Sequence, residues 1–415
     1  MKVMQKYKKF IVMCGLFSVF LWIPALINFI FICRAGEFGK IKYLVQEQLQ
    51  KNAIYGPAAF GNIYGYKLEM VRQKRPEIIA LGSSRILTIR QECFNRPFLN
   101  CGVGMLYLNE AKLFLEDLFQ FYKPKIIILG VDFWWFNDNF PQPDSFPDDH
   151  VDADTNFCYK IQLPVHWWWQ NKVPLGKYLD VLLNGNDKND ISHYNNMGMS
   201  AIMTSDGYRP DGSHVQSAYI FGFTEISDAQ FKSTLKLLRK PDGRFIYGRG
   251  LSEKRRQEFQ ELIELCHRNQ VTLVLYIPPV AHRVYEKMAA MQEEYGFIDE
   301  FREFVASLPV EAYDFHDARV AGISDCEFID GYHVGEVGYQ KLLLAISRQN
   351  PASVLKKCLN IKLMQDKIDE FDGCVLTEYD PAMYNYSEVD FLNLGCKKKP
   401  HRTLMAGRDT PHPGR

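Results

Sequence analysis

The chain has 415 residues, 47% of them hydrophobic and 24% charged, the mix of a folded globular protein with room for two or three domains. Lys plus Arg and Asp plus Glu each number 49, so the formal net charge is zero, which argues against a general nucleic-acid binder. The ten cysteines are too sparse for a disulfide scaffold and contain no CxxC pair, which argues against a zinc ribbon or a thioredoxin-type site.

The first feature in chain order is an uncharged run, Phe10 to Cys33. As a helix it measures roughly 36 Å, enough to cross a hydrocarbon core of about 30 Å with some tilt. Pro24 inside it predicts a kink that membrane helices tolerate. Lys2, Lys6, Lys8 and Lys9 precede the run. The positive-inside rule therefore assigns residues 1–9 to the cytoplasm, 10–33 to a single-pass anchor and the rest to the periplasmic or extracellular side. A cleaved signal peptide is the rival, disfavoured by the long apolar region and by Cys33-Arg34-Ala35-Gly36, a poor small-x-small site.

Residues 34–75 are mixed and read as a stalk, with a helix around Tyr43 to Lys51. The first strong core strand is Glu77 to Leu81, followed by a weaker one at Phe98 to Asn100 and an amphipathic helix from about Leu106 to Phe121. Lys125 to Val131 is a continuous apolar strand. A helix over 252–269, with Ser252 as N-cap, leads into the strand Val271 to Ile277. A short strand at Glu311 to Phe315 precedes a last helix at about Val337 to Arg348. Apolar runs alternating with helices indicate an α/β domain over 76–350, its parallel sheet covered on both faces. Residues 133 to 250 interrupt the pattern and read as a large insertion. It holds five of the six tryptophans, Trp134, Trp135, Trp167, Trp168 and Trp169. Residues 351–415 read as a tail, partly disordered, with a basic end from Cys396 onward.

Two short blocks carry chemistry. Strand Ile78–Leu81 ends in Gly82-Ser83-Ser84-Arg85. At the carboxyl end of a parallel strand, Gly then Ser gives a sharp turn with a hydroxyl near a helix N-terminus. Read alone, Gly-Ser-Ser is a helix N-cap after a turn. Far downstream, Asp330-Gly331-Tyr332-His333 opens the last core helix. Asp and His three apart in a tight turn can face one site, the Asp orienting an imidazole that takes a serine proton. Alone, a DxxH is usually a loop with a capping Asp.

Together, in this order and on this framework, the blocks resemble the SGNH (GDSL-like) hydrolase superfamily, over about residues 76 to 348. The resemblance implies a three-layer α/β/α, flavodoxin-like fold. It implies Ser84 as nucleophile, with Ser83 where the family usually has Asp, and Asp330 and His333 as the partners. The family's second block supplies an oxyanion N–H. Asn100-Cys101-Gly102-Val103-Gly104-Met105 has its N-x-G opening, and the donor by spacing is the N–H of Gly104 or Met105. The third block is normally G-x-N-D, whose Asn donates a side-chain hydrogen bond. Here Gly130-Val131-Asp132 puts Asp132 at the Asn position, where an ionised carboxylate cannot donate. Either Asp132 is protonated, or another group donates, or the transition state is stabilised differently.

The anchor, the Gly-Ser-Ser block and the late DxxH also look like the DltD-like and AlgJ/AlgX-like proteins that acylate cell-envelope polymers. That likeness implies a serine esterase or O-acyltransferase acting on a carbohydrate polymer, at the membrane. It implies a membrane acyltransferase as a source of acyl groups, and no cofactor or metal. A non-catalytic envelope assembly or binding protein of the same fold is the alternative.

Other residues have two readings. The clustered tryptophans, with Trp134 and Trp135 directly after the third block's strand, could stack on sugar, or pack the insertion onto the core, or seat against lipid headgroups. Arg85 could hold an anionic substrate group, or sit in a surface ion pair. The turn-rich loop Thr204 to Gly212 could line the site or be structural. Asp148 to Asp154 reads as a solvated acidic loop without the EF-hand pattern. His282, His316 and Asp317 follow strand ends and read as structural. Ten scattered cysteines permit disulfides on an exported chain without imposing them, and none is expected to be essential in a domain this large.

Overall fold

The computed structural model describes residues 2–58, 62–143, 157–170, 173–185, 194–220, 228–377 and 390–396. Among these the strands in chain order are β1 (Ala53–Tyr55), β2 (Ile78–Gly82), β3 (Phe98–Gly102), β4 (Ile126–Gly130), β5 (Asn195–Met197), β6 (Thr272–Ile277) and β7 (Glu311–Asp314). Five of them form one parallel sheet in the order β3-β2-β4-β6-β7. Every residue of β2, β3 and β4 is buried. The apolar runs of β2 and β4, rich in isoleucine, suit strands covered on both faces. The protein is therefore a mixed α/β fold built on parallel strands.

The expected core elements are present with shifted ends. β3 runs on to Gly102 because its partner β2 continues alongside to Gly82. The following helix spans Leu108–Phe121, and the next core helix spans Glu253–Arg268 with Ser252 at its N-cap. The last core helix, Glu336–Gln349, is almost wholly buried.

Two segments differ from their sequence reading. The stretch read as a stalk is part of the fold: helix Ile63–Lys74 is buried from Tyr64 through Val71. Its Lys67 donates to the carbonyls of Asn100 and Gly212, and burial pushes that amine down to about 7. β1 pairs in parallel with β5, so this segment and the insertion are woven together. The stretch read as a tail is folded as far as it is described. Helix Ile361–Phe371 buries Met364, Ile368 and Phe371, the Val375 carbonyl accepts from Glu336 N–H, and Cys396 is disulfide-bonded to Cys326. The acidic loop Asp148 to Asp154 and the basic end beyond Cys396 lie outside the described residues.

The N-terminal helix, Lys2–Ala35, runs through Pro24. From Tyr7 to Ala35 it is long and apolar enough to cross a membrane, with mean hydropathy 2.5 over its most apolar window. A signal sequence passes the same criterion.

Candidate active site

The carboxyl ends of β2, β3 and β4 meet at one edge, and the site is assembled there. Gly82 closes β2 at φ +156°, and a Cβ there would press on Ile86 and on the Gly130 carbonyl. Gly130 closes β4 just as tightly, since its Cβ would come within 2.6 Å of Ile86 Cγ2. Small residues at both strand ends let the chain turn at once into the 3-10 segment Ser84–Ile86. Ser83 caps that turn by accepting from Arg85 N–H. Ser84, one residue on, is left partly exposed.

The second half of the site is the turn Asp330–His333. Asp330 Oδ1 accepts from the N–H groups of Tyr332 and His333 at 2.9 and 2.8 Å, an Asx-type turn. Its other oxygen, Oδ2, lies 2.7 Å from His333 Nδ1. His333 Nε2 lies 2.8 Å from Ser84 Oγ. Serine, imidazole and carboxylate thus form one hydrogen-bonded line between positions far apart in the chain. Burial works to raise the Asp330 carboxyl, but the adjacent His333 and the hydrogen bonds it receives hold it below the usual carboxylate range. A carboxylate kept charged beside Nδ1 fixes the tautomer that leaves Nε2 free to accept the serine proton.

The oxyanion residues divide. Gly102 N–H is spent on the Asn100 side chain and Gly104 N–H on the Cys101 carbonyl. Among the described residues, the N–H groups of Ser84 and Met105 donate to no protein acceptor. Between the glycines, Val103 is held in the left-handed region at φ +54°. That is an unfavourable place for a β-branched residue, at a cost of order 1–3 kcal/mol. Its N–H donates to Gly82 O, which ties this turn to the serine strand.

One oxygen of Asp132 is taken up by Arg85, and the other, Oδ2, is buried without a hydrogen-bond partner among the described residues. The side chain is fully buried, with Arg85 Nη1 3.0 Å from Oδ1. Burial pushes this carboxyl up, against the Arg85 charge. Arg85 is equally buried, so it is neither a substrate clamp nor a surface ion pair. Its Nε donates to Tyr332 O and its Nη2 to the carbonyls of Pro278 and Pro279. The Tyr339 hydroxyl donates back to the Arg85 carbonyl. One guanidinium therefore joins the serine turn, the end of β4, the segment after β6 and the histidine turn.

Of the readings open for Trp134 and Trp135, the structure bears out packing onto the core. Trp135 is fully buried and its indole N–H donates to Leu106 O. Trp134 is buried with its ring 5.4 Å from the Arg85 guanidinium. The compact turn Phe133–Phe136 rolls both rings inward. The Arg244 guanidinium also lies 5.5 Å from the Trp134 ring, and Arg244 donates to the Tyr332 hydroxyl.

The loop Thr204 to Gly212 is structural. Arg209 Nη2 lies 2.6 Å from Glu336 Oε1, just beyond the histidine turn, and Arg90 and Thr377 hold the other oxygen. Burial raises Glu336, but Arg209 and Arg90 outweigh it and bring the carboxyl down to about 2. His316 packs edge-on against Phe133, and burial drives it down to about 3, so it stays neutral. His282 pairs with Glu286 at 3.1 Å, and Asp317 with Arg319. None of these joins the Ser84 line.

Sequence reading missed Asp228, which accepts from Gly331 N–H and from Thr234, and so fastens the insertion to the histidine turn. It also missed Arg85 as a clamp. The only sequence signal for that role is a pair of charges, Arg85 and Asp132, each placed just past the end of an apolar strand. No metal-binding group of His, Cys, Asp and Glu occurs among the described residues. Comparison with protein-family models and with curated proteins finds no match.

Proposed function

We propose that the protein is a membrane-anchored serine acyl-transfer enzyme of SGNH type, acting on a carbohydrate polymer of the cell envelope. The observation that carries this reading is the line Ser84 Oγ–His333 Nε2–Asp330, with its 2.8 and 2.7 Å contacts. The strand order supports it. Renumbered within its own sheet, β3-β2-β4-β6-β7 becomes 2-1-3-4-5, the flavodoxin-like order of a three-layer doubly wound fold. In that fold ligands bind at the carboxyl edge, where Ser84 and His333 sit.

The chemistry runs in two halves. Ser84 Oγ attacks the acyl carbonyl while His333 Nε2 takes its proton. The tetrahedral intermediate collapses, the donor's leaving group takes that proton from His333, and the acyl group remains on Ser84. An acceptor hydroxyl then gives its proton to His333 and attacks the acyl-serine, and Ser84 departs with the proton restored. Water in place of the acceptor makes the same site an esterase. Ser84 and Met105 N–H supply the oxyanion contacts, without a side-chain donor.

The helix Tyr7–Ala35 is read as the anchor, with the N-terminus cytoplasmic and the α/β domain outside. The Cys326–Cys396 disulfide supports an oxidising compartment for that domain. A membrane acyltransferase is the partner this scheme calls for. The non-catalytic alternative rests on Asp132, where a side-chain donor is replaced by an Arg85-bound carboxylate.

The test is transfer from, or hydrolysis of, a simple acyl ester. Ser84→Ala and His333→Ala are each expected to lose roughly a thousand-fold or more, and the double variant no more than either single one. A wild-type protein with no esterase or transferase activity on any acyl ester favours the non-catalytic reading.

A further inference from the structure

A soluble amphipathic helix has one apolar face, and it is buried. Helix Leu175–Asn184 has an apolar arc wider than one buried face needs. At 100° per residue its apolar residues cover an arc of about 200°. One side of the arc, Tyr178, Val181 and Leu182, packs on the N-terminal helix. The Tyr178 ring stacks on Phe31 at 4.4 Å, its hydroxyl donates to Asn28, and the Leu182 carbonyl accepts from Arg34. The other side is the stripe Leu175, Leu179 and Leu183, which is 60%, 45% and 74% exposed. The neighbouring helix, Phe157–Trp169, repeats the pattern. Leu163 is buried against the same cluster, while Val165, Trp168 and Trp169 face outward, Trp169 at 84%.

These outward residues are continuous with the lipid-sized surface of the N-terminal helix. An apolar groove lined by Pro24, Ile27, Pro164, Val165, Trp168 and Leu175 joins the three helices. The level of the junction is set by Arg34, the first charge after the span. Phe31 and Ile27 lie about 5 and 10 Å before it along the helix. That is the depth at which interfacial helices bury their apolar faces, and where tryptophan concentrates.

We propose that helices Phe157–Trp169 and Leu175–Asn184 form a monolayer-embedded platform, seated in the outer leaflet beside the anchor, with phospholipid as its occupant. The platform holds the α/β domain close to the bilayer. This rests on the anchor reading of Tyr7–Ala35, and the experiment separates the two.

The full-length protein is placed in phosphatidylcholine–phosphatidylglycerol nanodiscs with or without brominated acyl chains, and tryptophan quenching is read. Trp134 and Trp135 are buried in the core and give the unquenched background. Trp168→Phe/Trp169→Phe is expected to remove roughly half or more of the quenchable emission, and Trp22→Phe most of the remainder. If Trp22→Phe abolishes quenching while the Trp168→Phe/Trp169→Phe protein is quenched as fully as wild type, the anchor stands and the platform is wrong. If bromine quenches nothing in the wild-type protein, the anchor reading itself fails.

Discussion

The edge that carries Ser84 and the surface that carries Trp169 break the same rule in opposite ways. At the first, the charged groups Arg85, Asp132 and Glu336 are sealed inside. At the second, leucine and tryptophan stand in the open. Burying charge is costly unless the groups find partners. The edge meets most of that cost by sharing the Arg85 guanidinium among Asp132 and three carbonyls and Glu336 between Arg209 and Arg90, although Asp132 Oδ2 is left without a partner among the described residues. Exposing a large apolar patch is equally unfavourable in water, and the surface has no internal remedy. The first region is held by its own bonds, and they position a reaction. The second is incomplete until something apolar covers it.

Substitutions sharpen that contrast, starting from the largest effect. Arg85→Met strands a buried carboxyl and cuts the link to Tyr332, so a loss of about 3–5 kcal/mol in denaturant unfolding is expected. Adding Asp132→Leu is expected to restore part of it. Asp132→Asn is not expected to raise ester hydrolysis, since the side chain faces Arg85. A rise would show that it reaches the oxyanion. Replacing Cys326 and Cys396 by Ser opens a loop of 70 residues, for which chain entropy gives about 4.4 kcal/mol at most. The α/β domain is expected to stay folded, with a lowered melting temperature.

Glu336 supplies a pH test. Its folded pKa, about 2, lies below the unfolded value of 4.5. Its contribution is therefore present above the unfolded value and lost as pH falls toward the folded one. Unfolding of wild type and Glu336→Gln, compared at about pH 6 and about pH 3, is expected to show a gap that narrows on acidification. A gap independent of pH would mean the carboxylate charge contributes nothing. The smallest effect belongs to the exposed stripe. Leu179→Ser is expected to change unfolding of the α/β domain by no more than about 0.5 kcal/mol, because its side chain supports nothing in that core.

The parallel strands and the Ser84, Asp330 and His333 set were legible because each has a local signature: an unbroken apolar run, a glycine at its end, a DxxH before a helix. What escaped depends on partners remote in sequence. Helix Ile63–Lys74 carries Lys67 and Glu69 and looks solvated, yet Lys67 is buried by carbonyls at Asn100 and Gly212. For Trp134 and Trp135 the sequence leaves sugar contact and core packing both open, and only the 3-10 turn after β4 decides for the core. Asp132 matched a family position in register, and only the location of Arg85 reveals which way its carboxylate points.

The central claim is that Ser84 is activated by His333. Labelling with a serine-directed fluorophosphonate, read by peptide mass spectrometry, tests it most directly. The account predicts an adduct on the peptide containing Ser84 in the wild-type protein and none in a folded His333→Ala variant. A wild-type protein that stays unlabelled, or one labelled at Ser83 or elsewhere, would contradict it.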